Sequence, residues 1–437
     1  MSEFRIDIEK LAFGGSGIGR INGKVCFVPF SCPGDELLVA LTSEKRSYLT
    51  ARIVEIIIPS SDRATPPCPL FGSCGGCSWQ HIAYHRQLEA KRRILAETLW
   101  RGARIAEELI AEVLPAPGQY VYRSRVQFKV FYAGNKLQIG FFRQGSHYVE
   151  DAPGGCPVAL PVINQAIQRL REVLSHFNEP QSIPQINIDC GDQGAVAIVS
   201  YIGKDPDGAA LFLERHFTSL MPLTGLYIQT GRKSTLRKVC GDDFLVYAMP
   251  AGTAEAPPVQ LAFRPGGFSQ VNSSQNRAIL EHLRRLACFD GSERVLDLYC
   301  GNGNLSLPLA RDVAAITGIE EFEGSIAAAI DNCRRNGIDN ADYIVADAAG
   351  GVRRLADNGQ HYDVVILDPP RTGAADALHE ICRLGPKKIV YVSCDPNTLA
   401  RDCGLLSAQG YNVRASIPVD MFPQTYHLES ITLLLRG

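Results

Sequence analysis

Nowhere in these 437 residues is there a run approaching the ~20 consecutive apolar side chains of a membrane helix. The opening MSEFRIDIEKLAFGG is charged at once and lacks the apolar centre of a secretory signal. No membrane partner is expected, and a cytoplasmic protein is. Charge of one sign is also missing: 44 Lys and Arg stand against 46 Asp and Glu, so any nucleic-acid site must be local and not a property of the whole surface. Low-complexity stretches and internal repeats are absent. With 46% hydrophobic and 21% charged residues, the chain has the balance of roughly two to four folded domains.

Cysteine, by contrast, is plentiful, with 14 residues. In a long chain without an export signal these read as reduced thiols and not as a disulfide framework. Ten stand singly and suit small buried apolar positions. Cys68, Cys74 and Cys77 crowd into PPCPLFGSCGGCSWQH, and Cys156 follows in GGCP. Four thiolates can bind zinc or a [4Fe-4S] cluster, and a short triple with a remote Cys-Pro favours the cluster over zinc.

Residues 1–58 alternate short apolar runs with GGSGIGRING and SCPGD, the pattern of a small β-barrel. Their glycines read as turns, because no strand and helix flank them as a nucleotide loop requires. PSSDRATPP marks a boundary near residue 60. Residues 59–260 read as a mixed α/β central domain, part of whose 86–120 stretch can pack on the domain that follows. Between Arg86 and Arg143 eleven basic residues face five glutamates, and YVYRSRVQFKVFY interleaves aromatics with Arg123, Arg125 and Lys129, a strand able to meet phosphates and stack bases, or an ordinary half-exposed one. From 261 to 437 apolar strands alternate with helices, which argues a doubly wound α/β sheet.

Four motifs fall at the ends of strands of that sheet. Asp297–Asn304 (DLYCGNGN) follows the first strand, and Glu320 ends the next, where a carboxylate accepts ribose hydroxyls. The third glycine of a dinucleotide loop is missing, so a nucleoside without pyrophosphate, such as S-adenosylmethionine, fits better than NAD. Asp368-Pro369-Pro370-Arg371 ends another strand; an arginine in its fourth place, where amino methyltransferases carry an aromatic, weakens an amine substrate. Cys394 in SCDP precedes a helix starting near Asn397, a place that favours an ionised thiol. Glu429, before the last apolar strand, is placed to act as a general base.

Together with FSQVN at 268–272 and DMFPQTYHLES at 420–430, these motifs resemble the RNA uracil-C5 methyltransferase family. The resemblance implies a class I, Rossmann-like methyltransferase domain behind a TRAM, OB-like barrel. It implies Cys394 as nucleophile and Glu429 as base, with Gln270, Tyr299, Asn304, Glu320, Asp347 and Asp368 around S-adenosylmethionine. Phe268, Gln270 and Asp368 would meet the uracil, and Cys68, Cys74, Cys77 and Cys156 would hold a [4Fe-4S] cluster. TRAM and cluster together imply the 23S ribosomal RNA branch, because the transfer-RNA branch typically lacks both; one or two modified sites, and transfer RNA, stay as alternatives. RNA is the expected partner, DNA is not, and a monomer is expected. A nicotinamide oxidoreductase would leave Cys394 and Glu429 without work, and a noncatalytic RNA-binding scaffold would not need both intact.

Overall fold

In the computed structural model, residues 3–252 and 256–437 are described. Six short strands between Glu3 and Ile58 form the N-terminal barrel sheet, the last pair long and bulged. Ile6, Val28, Leu37 and Val39 point inward and fill its interior. The barrel is tied to the following segment by the buried Asp35 carboxylate, which accepts from the Cys32 and Ser60 amides at 2.6 and 2.9 Å and from the Arg63 guanidinium at 2.8 and 2.7 Å. Gly14 and Gly15, at φ +106° and +94°, turn the chain as expected of GGSG.

The central region carries a seven-stranded sheet whose middle strands are Ala195–Ser200, Gln185–Cys190 and Arg125–Ala133. Helix Pro161–Leu174 lays Ile163, Ala166, Ile167 and Leu170 on it, the i, i+3, i+4, i+7 spacing of one helical face. The pleat corrects one reading. Phe128 points into this core and Tyr122 is buried, so neither stacks bases; Phe131, on the outward phase with Lys129, is 51% exposed.

The last domain is built on seven strands: β1 (Arg294–Leu298), β2 (Ala315–Glu320), β3 (Ala341–Val345), β4 (Val364–Leu367), β5 (Lys388–Ser393), β6 (Tyr411–Val419) and β7 (Glu429–Arg436). Their order is β3-β2-β1-β4-β5-β7-β6, with β1 to β5 parallel and β7 antiparallel to both neighbours. This is the class I methyltransferase arrangement. Central strands such as β4, buried along its whole length as Val-Val-Ile-Leu, have helices on both faces and read as continuous apolar runs.

Part of the stretch between barrel and central sheet joins this domain. Helix α1 (Tyr84–Ala103) buries Ile94, Leu95 and Leu99 in the same core as Leu399, Ala400 and Cys403 of the helix Pro396–Ala408. Ala400 sits so close to Gly102 that a Cβ there would approach it to 2.7 Å. Beyond α1, Ile110 and Leu114 bridge to Ser416 and Val419 of β6. Helix α1 and the segment after it, within the 86–120 stretch, thus pack on this last domain.

Candidate active site

Topology decides which motifs meet. The carboxyl ends of β1, β2, β4 and β5 lie on one edge of the sheet, and they carry the glycine loop, Glu320, Asp368 and Cys394. Because β7 runs the other way, its first residue comes to that same edge. Ser430 pairs with Ser393, so Glu429 and Cys394 stand beside this register on neighbouring strands.

The glycine loop folds tightly after β1. Tyr299 adopts φ +64°, Gly301 +56° and Gly303 +85°, and a side chain at Gly303 would collide with Leu307 at 2.6 Å. Glu320 accepts the Gly301 amide at 3.2 Å and the Phe322 amide at 3.0 Å, which fixes its carboxylate against the loop. Asn304 is 8% exposed and its amide is largely engaged: Oδ1 accepts from Asn276 and the Tyr247 hydroxyl at 2.8 and 3.0 Å, and Nδ2 donates to Asn276 at 3.0 Å. Asp347 caps helix Ala348–Asp357 by accepting the Gly350 amide at 2.7 Å, and is exposed beside the end of β3. Asp297 is buried beside Ser306 with no hydrogen bond of ordinary geometry to either carboxyl oxygen among the described residues, and burial, opposed by Ser306, pushes its carboxyl up to about 7. A buried carboxylate so weakly satisfied under a glycine loop fits a cationic ligand such as the ammonium and sulfonium of S-adenosylmethionine. Phe322 and Val345, exposed at the ends of β2 and β3, add apolar surface for a flat base that the sequence reading did not single out.

Two carboxylates, Glu429 and Asp368, act on the thiol of Cys394. Burial, then the charges of Glu429 and Asp368, push Cys394 up to about 12, and Arg371 opposes them. Its position before a helix does not make it an ionised thiol in the free protein, contrary to the expectation from SCDP: the cap of that helix is already taken by Asp395, which accepts the Asn397 and Thr398 amides at 2.8 and 3.4 Å. Glu429, 7% exposed, is pushed up to about 8 by burial and by Asp368, again opposed by Arg371. Burial brings Asp368 up to about 7. Arg371, exposed at the rim, is thus the cation that tunes both thiol and base, and its departure from an aromatic in DPPR was the signal in the sequence. The loop bearing it is held by Asp402, which accepts from the Ala374 amide and Tyr391 hydroxyl at 2.8 and 2.7 Å.

On the side of the central region, Ser124 donates its amide to the Val271 carbonyl at 2.8 Å and pins the FSQVN segment. Gln270 there is half-buried and Phe268 is 62% exposed, free to meet a planar base. Cys68, Cys74, Cys77 and Cys156 line one cavity of about 270 Å³ with Gln80, Tyr122, Arg123 and Thr425. Their thiols feel one another's charge, although burial is the main reason Cys74 and Cys77 rise to about 11 and about 12. Among the described residues no three His, Cys, Asp or Glu side chains are gathered as a metal-ion site.

The sequence model described as tRNA (Uracil-5-)-methyltransferase matches residues 83–437, and that of the TRAM domain matches residues 1–54. The chain belongs to the uracil-C5 RNA methyltransferase family. Among relatives of this methyltransferase, one from Stenotrophomonas maltophilia named 23S rRNA (uracil(1939)-C(5))-methyltransferase RlmD is 36% identical over 98% of this chain and 96% of its own. One of the same name from Alkalilimnicola ehrlichii is 34% identical over 99% and 96%. The crystal structure of the Pyrococcus abyssi tRNA (uracil-54, C5)-methyltransferase in complex with S-adenosyl-L-homocysteine superposes with a TM-score of 0.76, at 26% identity and 99% coverage of both chains. A transfer-RNA enzyme matched over the whole length, barrel included, means that the N-terminal barrel does not by itself separate the ribosomal from the transfer-RNA branch.

Proposed function

We propose that this methyltransferase transfers a methyl group from S-adenosylmethionine to C5 of one uridine in 23S rRNA through a covalent adduct on Cys394. The observation that carries the chemistry is the placing of a thiol and a nearly buried carboxylate on adjacent strands beside a glycine loop. Uracil C5 is a poor nucleophile until a group adds at C6. The Cys394 proton passes to a carboxylate of the site other than Glu429, Sγ bonds to C6, and the electron pair moves to C5 and O4. Bound S-adenosylmethionine would supply the methyl group to C5 and leave as S-adenosylhomocysteine. Glu429 takes the C5 proton, the C5=C6 bond re-forms, and the Sγ–C6 bond breaks to return the thiolate. Arg371 favours the charged forms of both groups, while the buried setting keeps Glu429 basic enough for its task. Gln270, Tyr299, Asn304, Glu320, Asp347 and Asp368 would hold the methyl donor, and Phe268 with Gln270 and Asp368 the target base. That base must leave its RNA fold to reach Glu429.

The choice of 23S rRNA rests on relatives with that name at 34–36% identity over nearly the whole chain. Exposed Phe131, Phe142 and Tyr148, with the Lys129 ammonium 5.2 Å from the Phe142 ring, offer RNA a stacking and phosphate-binding face on the central sheet. Mapping 5-methyluridine in RNA from a strain lacking the protein tests the substrate: one mark lost from 23S rRNA is expected, and a mark lost only from transfer RNA overturns the choice. The cell compartment proposed is the cytoplasm, and the protein is proposed to act as a monomer.

A [4Fe-4S] cluster is our proposal for the cysteine cavity. Four cysteine thiols lining one cavity are the donor set of such a cluster, and zinc, which takes the same four thiolates, is the alternative. Anaerobic purification is expected to give four iron atoms per chain and a broad visible absorbance, both lost in Cys74→Ser; zinc without iron contradicts the proposal.

The pH dependence follows from Glu429. Its carboxyl must be ionised to accept the proton, so turnover limited by proton removal is expected to rise with pH and level off above about 8. The same shift acts oppositely on stability. Between its ordinary value of 4.5 and about 8 the folded state holds this proton more tightly than the unfolded one, so this contribution is lost as pH rises through that window. Glu429→Gln removes both dependences, measurable by single-turnover rates and by denaturation at pH 5 and 9.

A further inference from the structure

Residues 420–427, immediately before Glu429, form an irregular segment that is buried along most of its length. Such a segment has no ladder of its own, so the groups that satisfy its polar atoms set its position. Thr425 and His427 bond within the segment, but most of its partners come from elsewhere in the chain. Gln424 holds φ +68°, unusual for a side-chain-bearing residue, and is only 2% exposed. Its amide donates to Gln87 Oε1 at 3.0 Å and its Oε1 accepts from Gln87 Nε2 at 3.0 Å, while its carbonyl accepts the Ser78 and Trp79 amides at 3.1 and 3.0 Å. The Tyr122 hydroxyl donates to the Pro423 carbonyl at 3.0 Å, and the Tyr426 amide to Ser78 Oγ at 3.2 Å.

At the other end, Lys91 and Asp420 pair with no exposure at all. Asp420 also accepts the Tyr84 hydroxyl at 2.7 Å, and Lys91 donates to the Phe422 carbonyl at 3.1 Å. From the barrel, Phe13 meets the Tyr426 ring edge to face at 5.6 Å. None of these side chains is required by the methyl transfer itself. A buried ion pair and a strained, hydrogen-bonded glutamine are costly to maintain, and they converge on the eight residues leading to the base.

We infer that Gln87 and Lys91 of α1, with the Ser78–Trp79 backbone, are positioning residues that set the general base through the 420–427 segment. The inference rests on the reaction proposed above. It places the cysteine-bearing segment, whose cavity Thr425 also lines, in mechanical contact with proton removal and not with thiol attack. Loosening the clamp is therefore expected to slow the second half of the reaction selectively, because a small misplacement of a reacting group costs a large factor in rate.

Gln424→Gly tests this without straining the backbone, since glycine favours the φ already present, and thermal denaturation checks that the fold survives. Gln87→Ala removes the partner amide, and the double variant should be no worse than Gln87→Ala alone if the two amides act as a unit. The expected result is about a tenfold or greater fall in turnover on uridine RNA, with the covalent protein–RNA species accumulating on denaturing gels. Adduct formation on 5-fluorouridine RNA, which stops before proton removal, should stay within about twofold of the parent protein. An equal fall in both rates, or unchanged turnover, overturns the positioning role. Failure of the parent protein to form any fluorouridine adduct instead removes the covalent reaction itself, and this inference with it.

Discussion

Cys394→Ala is expected to abolish turnover, by a factor on the order of 10⁴ to 10⁶, the scale seen when a covalent nucleophile is removed. The size of the effect follows from the substrate. Without a bond at C6, uracil C5 has too little electron density to accept a methyl group. The half-buried thiol leaves only a small space when truncated, so folding and methyl-donor binding should survive. Equilibrium dialysis with S-adenosylmethionine and thermal denaturation, run beside the activity assay, separate loss of the nucleophile from loss of the fold. Retention of more than about one per cent of the parent rate contradicts a covalent role.

Glu429→Gln is expected to divide the reaction. The thiol still adds and the methyl group is still transferred, but the C5 proton stays, so the enzyme is trapped on its RNA. Turnover should fall by about 10² to 10⁴, the usual worth of a general base, while a methylated adduct persists through denaturation. The thiol should also ionise more readily, because one of the two neighbouring carboxylates that hold Cys394 protonated is gone. A rate unchanged by this substitution, or one lost without any adduct, assigns the proton to another acceptor, of which Asp368 is nearest in character.

How much of this was readable in advance varies from residue to residue. The strand ends carrying DLYC, DPPR and SCDP were legible because each follows a short apolar run buried on both faces, and such runs end at the ligand edge of a parallel sheet. Glu429 was legible as a strand start, but its meeting with Cys394 depends on β7 being antiparallel, which only topology supplies. The thiol's raised pKa was not legible, because a helix N-terminus reads as favourable while burial and two neighbouring carboxylates are properties of the folded site. Likewise Tyr122 and Phe128 carried a base-stacking pattern and proved to be inward-facing, since alternation alone does not say which phase faces the core. That part of 86–120 can pack on the last domain was legible, but the clamp α1 makes on 420–427 lies in contacts more than 300 residues apart along the chain.

The most direct measurement of the central claim is a denaturing-gel assay of the protein with S-adenosylmethionine and RNA carrying 5-fluorouridine, in which fluorine takes the place of the departing proton. A stable protein–RNA band in the parent protein, kept in Glu429→Gln and missing in Cys394→Ala, is the result this account predicts. Methyl-donor binding without a band on any RNA, or a band that persists in Cys394→Ala, contradicts it.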